Sequence, residues 1–319
     1  MAVIPSTPRP RALRQFRLDP VWITFAVLLI IWVFSLIRVE GYRSLDFNLF
    51  TLRVAAFLGI VAAGQTLVVL MGGIDLSVAA VVTMAGVIGG HLITQIGEAA
   101  GIVLTLLIAA LVGVINGLGV VALRLPPLVM TLASLSVIQG VLLVYNAGKP
   151  VSGESDFLSY WALGTLLGVP TPVWVLAGLT VICLVLLHRT AYGRAIYGIG
   201  NNPRAALLSG VPIGLTQIAT YALCSLFAGI TGLLILGRTG YSSKTAGDPY
   251  LLMSIAAVVI GGTSILGGRG KFIGTIGGAL VLTVLINLLT VENISEAGRM
   301  MIQGALILIL LIAYARADQ

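Results

Sequence analysis

The sequence predicts an all-α membrane protein with about ten transmembrane helices. Hydrophobic residues make up 58% of the 319-residue chain and charged residues only 9%, and the mean hydropathy is +1.09. A soluble domain carries about 25% charged residues, so this chain cannot cover a globule with a water-compatible surface. Its apolar segments are continuous runs, whereas a β-barrel requires alternating segments. These observations exclude a soluble enzyme, a disordered protein and a secreted disulfide scaffold.

The individual helices follow from the length of the apolar runs. A helix that crosses the roughly 30 Å hydrocarbon core needs about 20 apolar residues. Ten segments meet this requirement, at about 21–37, 52–71, 76–95, 101–123, 127–146, 172–188, 215–236, 250–267, 272–290 and 299–315. The first run is followed by Arg38-Val39-Glu40 and not by a signal-peptide cleavage site, so we interpret it as a retained helix. The chain is therefore one transmembrane domain over 21–319, preceded by an arm over 1–20.

Charged residues predict the orientation of this domain. If the arm lies in the cytoplasm, both termini lie there, because the number of spans is even. Most of the 18 Lys and Arg residues, and few of the 11 acidic residues, then fall on the cytoplasmic side. This distribution agrees with the positive-inside rule.

The sequence lacks the motifs of several functions, namely nucleic-acid binding, nucleotide hydrolysis and metal binding. The net charge of +7 comes from basic residues scattered among apolar spans, so it does not indicate nucleic-acid binding. Gly270-Lys271 is followed by Phe272, which excludes a Walker A loop. His91 and His188 stand at the ends of different spans and predict no metal site. We expect a non-catalytic protein without a cofactor, so that any ATP hydrolysis belongs to a separate partner.

The longest cytoplasmic loop, about 189–214, contains signals for two short helices. The first covers Ala191–Ile199, and we expect Gly198 and Gly200 to break it. The second begins at Asn202-Pro203, with Pro203 as the first helical residue, and ends at Ser209-Gly210. A short, partly basic helix of this kind can dock in a groove of a partner protein. The alternative is a solvated interfacial turn.

Two similar segments interrupt the apolar runs. Val68–Leu76 (VVLMGGIDL) and Val258–Leu266 (VVIGGTSIL) each end one run with Gly-Gly and begin another. Asp75 precedes the next helix, and we favour its role as a cap that accepts from free backbone N–H groups. The functional alternative is a cation or proton site, since acids within membranes often mark ion pathways. The predicted break and cap residues are Gly72, Gly73, Asp75, Gly261, Gly262 and Gly268.

The polar residues inside the spans are amides and hydroxyls. Uncharged donors and acceptors suit a path for neutral polar solutes, and the predicted path residues are Gln65, Asn116, Ser134, Gln139 and Asn287. The alternative for each is a hydrogen bond between helices, worth about 0.6 kcal/mol on average. Small-xxx-small pairs such as Gly113/Gly117 predict close helix contacts within the chain.

The order of several motifs resembles the ribose-type family of bacterial ABC importer permeases. The matching segments are GGIDLSV at 72–78, NG at 116–117, LRLPP at 123–127, GRAIY at 193–197, AAVVIGGTS at 256–264 and GGRG at 267–270. They extend in family order from about residue 50 to residue 315. The chain departs from the family pattern at Asn201 and over Ser242–Asp248, where the family often has Gly-Gly-Asn and Ala-Gln-Pro.

The resemblance implies both a fold and a set of partners. The fold would be related to the vitamin B12-type permeases. The partners would be a second permease, identical or different, two ATP-binding subunits or one fused double ATPase, and a periplasmic solute-binding protein. The loop that couples to the ATPase would contain Gly193, Arg194, Asn202, Pro203, Arg204, Ala205, Ala206, Ser209 and Gly210.

The function implied is that of the permease subunit of an importer in the bacterial inner membrane, in contact with membrane lipid. It would translocate a monosaccharide or similar small polar solute by alternating access. The alternative is a secondary transporter or facilitator that uses the two broken segments. A membrane-embedded enzyme is disfavoured, because the sequence contains no reactive constellation of side chains.

Overall fold

The computed structural model describes residues 19–317, except for the side chains of 306, 307 and 309–317. The predicted N-terminal arm, 1–20, therefore lies almost wholly outside the described residues. The described part is helical, with four strands of only two residues each. This confirms the predicted all-α class.

Thirteen α-helices are present in the described part of the chain. They are α1 Pro20–Arg38, α2 Leu45–Leu70, α3 Val78–Ile96, α4 Glu98–Val121, α5 Pro127–Asn146, α6 Asp156–Leu163, α7 Thr171–Arg189, α8 Ala191–Asn201, α9 Pro203–Leu208, α10 Ile213–Thr239, α11 Tyr250–Ile260, α12 Phe272–Val291 and α13 Glu296–Ala317. A 3₁₀ turn, Glu40–Arg43, joins α1 to α2. The strands are β1 Val151–Ser152, β2 Thr165–Leu166, β3 Val169–Pro170 and β4 Tyr241–Ser242, which form the antiparallel pairs β1–β4 and β2–β3.

Eight of these helices are long and apolar enough to cross a membrane: α1 to α5, α7, α10 and α12. They correspond to eight of the ten predicted spans. The predicted span at about 250–267 is wrong, because α11 ends at Ile260 and has only 11 residues. At 1.5 Å per residue such a helix is about 16 Å long, roughly half of the hydrocarbon core. The last predicted span falls within α13, so its crossing of the membrane stays a prediction.

The core of the bundle is built around α2, whose side chains are almost all buried from Ala55 onward. The long helix α10 packs beside α2 and also contacts α3 and α4. Glycines permit the contact with α4, since a Cβ at Gly113 would lie 2.2 Å from the Tyr221 carbonyl oxygen. The small-residue pair in α4 therefore serves packing within the chain, as the sequence predicts. By contrast α1, α4 and α5 present many exposed apolar side chains, the surface expected against lipid or a second subunit.

The two glycine breaks, between α2 and α3 and between α11 and α12, have the same local structure. Gly72 and Gly262 adopt left-handed backbone angles, with φ of +83° and +85°. The N–H of the residue after each glycine donates to the carbonyl of Val68 and Val258, respectively. These are the hydrogen bonds by which a left-handed glycine ends a helix. Gly72 is thus the structural counterpart of Gly262.

Candidate functional site

A buried polar cluster lies where the first break meets α4 and α5. The Asp75 Oδ1 atom accepts hydrogen bonds from the Ser77 N–H (2.8 Å) and the Ser77 hydroxyl (2.6 Å). Asn116 Nδ2 donates to Ser77 Oγ at 2.8 Å, and the Ser134 hydroxyl donates to Asn116 Oδ1. The cluster therefore connects α5 to the first break through an amide on α4.

Side chains also satisfy the irregular backbone of this break. The Gln65 amide pairs with the backbone of Asp75 when its nitrogen faces the Asp75 carbonyl (3.1 Å) and its oxygen faces the N–H (3.2 Å). Thr131 Oγ1 accepts from the Leu76 N–H at 3.1 Å and lies 3.3 Å from the Ile74 carbonyl oxygen. Non-helical backbone at membrane depth requires such partners, because lipid supplies none.

Two buried oxygens of the cluster have no hydrogen-bond partner among the described residues: Asp75 Oδ2 and the Tyr221 hydroxyl. Tyr221 belongs to α10, and its hydroxyl lies against Gly73, where a Cβ would approach it to 2.7 Å. Sequence reasoning missed Tyr221 because a tyrosine within an apolar run carries no mark of its partners.

Asp75 differs in detail from the predicted helix cap. The helix α3 begins at Val78 and its N-cap is Ser77. Because Asp75 bonds to the N-cap residue itself, it shapes the turn before the helix and does not cap the first helical turn. The reason is that the break extends two residues further than the apolar pattern indicates.

The five predicted path residues do not form one group. Gln65, Asn116 and Ser134 take part in the polar cluster. Gln139 is exposed on α5. Asn287 lies on α12, where its amide donates to Thr51 Oγ1 at 3.0 Å, and it lines a separate cavity. Sequence reasoning could have added Ser77, a polar residue beside the break, whereas Thr131 is recognised from the sequence only as one of the polar residues inside the spans.

The predicted coupling loop folds into α8 and α9. Asn202 caps α9 by accepting from the Ala205 N–H at 3.0 Å, Pro203 is its first residue, and Gly210 follows it with φ of +78°. The predicted break of the first helix at Gly198 and Gly200 is wrong, because α8 continues to Asn201. Tertiary contact explains Gly200 better: a Cβ there would lie 2.0 Å from the Leu70 carbonyl oxygen.

The end of α8 is hydrogen-bonded to the segment between α11 and α12, which in turn contacts the end of α2. Asn201 Nδ2 donates to the Gly268 carbonyl at 3.0 Å, and the Gly268 N–H donates to the Leu70 carbonyl at 2.8 Å. The Tyr197 hydroxyl donates to the Gly270 carbonyl at 3.1 Å. The end of α8 is therefore in direct contact with both glycine breaks.

The outer surface of this region is basic and apolar. Arg194 and Arg204 are exposed, and Leu207 and Leu208 expose 62% and 84% of their surface. Ala206, on the opposite side of α9, is buried. We call the exposed surface of α8 and α9 the coupling face. Apolar groups held at a surface in this way are typical of protein interaction sites.

Comparison with known proteins agrees with this architecture. Residues 47–311 match the family described as branched-chain amino acid transport system / permease component. The ribose import permease RbsC of Escherichia coli strain K12 is 35% identical over 255 residues, which cover 78% of this chain and 79% of that protein. RbsC of Bacillus subtilis strain 168 is 36% identical over 261 residues, covering 81% of each chain.

A relative named for a different sugar is similar to this chain to the same degree. The fructose import permease FrcC of Rhizobium meliloti is 36% identical over 276 residues, which cover 81% of this chain and 76% of that protein. Residues 47–311, the region that matches the family, contain both breaks, the polar cluster and the coupling face. The chain therefore belongs to the ribose-type family of ABC importer permeases.

Proposed function

We propose that this chain imports a monosaccharide or similar small polar solute across the bacterial inner membrane, as half of a permease dimer. Two ATP-binding subunits, or one fused double ATPase, dock on its cytoplasmic side, and a periplasmic protein delivers the solute. Relatives named for ribose and fructose import support this substrate class. The bundle would belong with the vitamin B12-type permeases.

The observation that carries this proposal is the coupling face. An exposed basic and apolar surface lies on the short helix α9, which has Asn202 as its N-cap and is followed by a left-handed glycine, Gly210. The end of α8, just before this helix, is hydrogen-bonded through Asn201 to the second break. This combination suits a docking surface that must pass a movement into the bundle.

The mechanism follows from these contacts. When ATP drives the partner to close, it presses on the coupling face, and α8 moves against Leu70 and Gly268. Both breaks then shift relative to the long helices, which changes the face toward which the bundle opens. This is alternating access between two packings of the same helices. We propose that both termini lie in the cytoplasm, which requires that α11 and the irregular segment after it together cross the membrane once.

Charge reversal of the coupling face tests the docking role. We expect the double variant Arg194→Glu, Arg204→Glu to lower co-purification of the ATP-binding subunit at least tenfold, because two attractions become repulsions in an interface where like charges cost several kcal/mol. The measurement is subunit stoichiometry after affinity purification in mild detergent. A matched control is Arg43→Glu with Lys149→Glu, since both residues are exposed and lie outside the coupling face. Unchanged co-purification of the first variant would contradict the docking role.

Transport in proteoliposomes separates the importer from a secondary transporter or facilitator. The proposed importer requires the ATP-binding subunit and ATP for uptake of ribose, fructose or arabinose. Uptake by the purified chain alone, with or without an ion gradient, would instead support the facilitator or the secondary transporter.

A further inference from the structure

A cavity of about 640 Å³ lies at the end of the bundle opposite the coupling face. Its walls come from the first half of α2, the start of α11, the end of α12 and the start of α13. A volume of about 300–1,000 Å³ is typical of small-molecule sites. The cavity is separate from the polar cluster around Asp75, with which it shares no lining residue.

The polar groups that line the cavity suit an uncharged, hydrogen-bonding ligand. Besides two threonine hydroxyls, they include two carboxylates, one guanidinium, two amides and a phenol, from Asp248, Glu296, Arg299, Asn287, Gln303 and Tyr250. Two carboxylates and one guanidinium leave a formal charge of −1, which disfavours an anionic ligand. Both donors and acceptors converge on one space, and a polyhydroxylated solute offers partners to both. Burial raises the pKa of Asp248, in keeping with its position at a partly desolvated wall.

The cavity is closed on the side that leads into the bundle. Beneath it lies an apolar cluster of small and branched side chains, including Ala62, Ala256, Ala279 and Leu282. Deeper still, the hydroxyls of Thr66 on α2 and Thr275 on α12 are 2.8 Å apart and join the two helices. A solute in the cavity therefore cannot pass further until α2, α11 and α12 separate.

A second large cavity provides a contrast. It has a volume of about 770 Å³ and lies between α1, α2 and α12. Apolar side chains such as Phe25, Leu29 and Leu280 dominate its lining. Such a groove suits lipid chains, whereas the carboxylates and guanidinium of the first cavity would be costly to place against them.

We propose that the cavity between α2, α11, α12 and α13 is an outward-facing binding site for a neutral polyhydroxylated solute. This inference rests on the proposed function, because it identifies the site from which the importer takes its solute. Asn287 and Arg299 hydrogen-bond to hydroxyl groups of the solute, while Asp248 and Glu296 accept hydrogen bonds from them. Movement of the second break then opens the apolar floor.

Cysteine labelling tests the site directly. In the complete transporter without ATP, Asn287→Cys is treated with a membrane-impermeant maleimide, with and without millimolar ribose, fructose or arabinose. We expect at least one sugar to slow labelling about fivefold or more. The native Cys183 and Cys224 are buried and contribute little background. The matched control is Asn146→Cys, at the end of α5 outside the cavity lining, whose labelling should not respond to sugar.

A functional variant provides a second measurement. Glu296→Gln preserves the shape of the side chain, so it should fold and assemble normally. Losing the charge weakens its hydrogen bond to the solute, and we expect the KM for uptake to rise about threefold to tenfold with little change in kcat.

The outcomes separate this inference from the proposed function. Protection of Asn287→Cys by a sugar, in a complete transporter that takes up none of the three sugars with ATP, would support the site and contradict the importer. A sugar that is transported, yet neither protects Asn287→Cys at saturation nor shows a raised KM in Glu296→Gln, would overturn the site and leave the importer standing.

Discussion

At the scale of single residues, Asp75 shows how an acid is retained inside an apolar bundle. One of its oxygens accepts from both the N–H and the hydroxyl of Ser77, and Gln65 pairs with its backbone. The irregular turn between α2 and α3 thus depends on side-chain partners. Buried donors that lose their acceptor cost about 1–3 kcal/mol each.

Substitution of Asp75 separates its structural role from a role in ion transport. Asp75→Asn keeps an oxygen that accepts from Ser77, so we expect its melting temperature to fall only slightly and ATP-driven uptake to persist. Asp75→Ala leaves the two Ser77 donors without an acceptor and should lose about 2–6 kcal/mol of stability. Thermal unfolding in detergent and uptake in proteoliposomes measure both effects. Loss of uptake in a stable Asp75→Asn complex would show that the charge itself is required.

At the scale of elements, the contact of α8 with the two breaks depends on the absence of side chains. Gly200 lies against the Leu70 carbonyl and Gly268, and no larger residue fits between them. The amide of Asn201 then bonds across the contact to Gly268. The coupling face is thereby attached to the backbone of both glycine breaks.

Removal of this connection should uncouple ATP hydrolysis from transport. In Asn201→Ala the hydrogen bonds to the Gly268 and Tyr197 carbonyls are lost, at roughly 1 kcal/mol each. We expect the complex to assemble and hydrolyse ATP, while uptake per ATP falls about fivefold. Asn202→Ser is the neighbouring control, because serine retains the N-cap of α9. Equal uptake per ATP in wild type and Asn201→Ala would exclude this transmission route.

At the scale of the whole molecule, α1 is an outer helix attached to the second break. It lies outside the region matched by the family, which begins at residue 47. The Thr24 hydroxyl is 2.6 Å from the Ile260 carbonyl oxygen, Pro20 lies against Gly262, and Asp19 forms an ion pair with Lys271. The N-terminal part of α1 is therefore bound directly to the second break.

The ion pair makes this attachment dependent on pH. The hydrogen bond from Lys271 holds the pKa of Asp19 below its ordinary value of 3.8. Its contribution, at most about 1 kcal/mol for so exposed a pair, is fully present above that ordinary value. It is lost as the pH falls through the lowered pKa of the folded protein. As the pH falls through this range, we expect the melting temperature of wild type to drop more than that of Asp19→Asn. Asp46→Asn is the control and should behave like wild type. Parallel pH profiles of wild type and Asp19→Asn would contradict the attachment.

Much of the fold follows from local pattern. Eight spans, the two glycine breaks and the boundaries of α9 could be predicted, because hydropathy, left-handed glycines and Asn-Pro caps act over a few residues. The short α11 could not, since the apolar run continues past Ile260 into a turn that other segments stabilise. In the candidate site, Gln65, Asn116 and Ser134 were identified as polar residues, but their convergence on Asp75 depends on the packing of α2, α4 and α5.

The amino-acid sequence by itself determined that this chain is an α-helical membrane protein interrupted at two glycine pairs, since apolar content and backbone freedom are properties of short stretches. Only the tertiary structure decided which polar residues meet, that Gly200 serves contact and does not break its helix, and that Asn287 lines a different cavity from Asn116. Those outcomes depend on distances between helices that are far apart along the chain, and no local pattern encodes such distances.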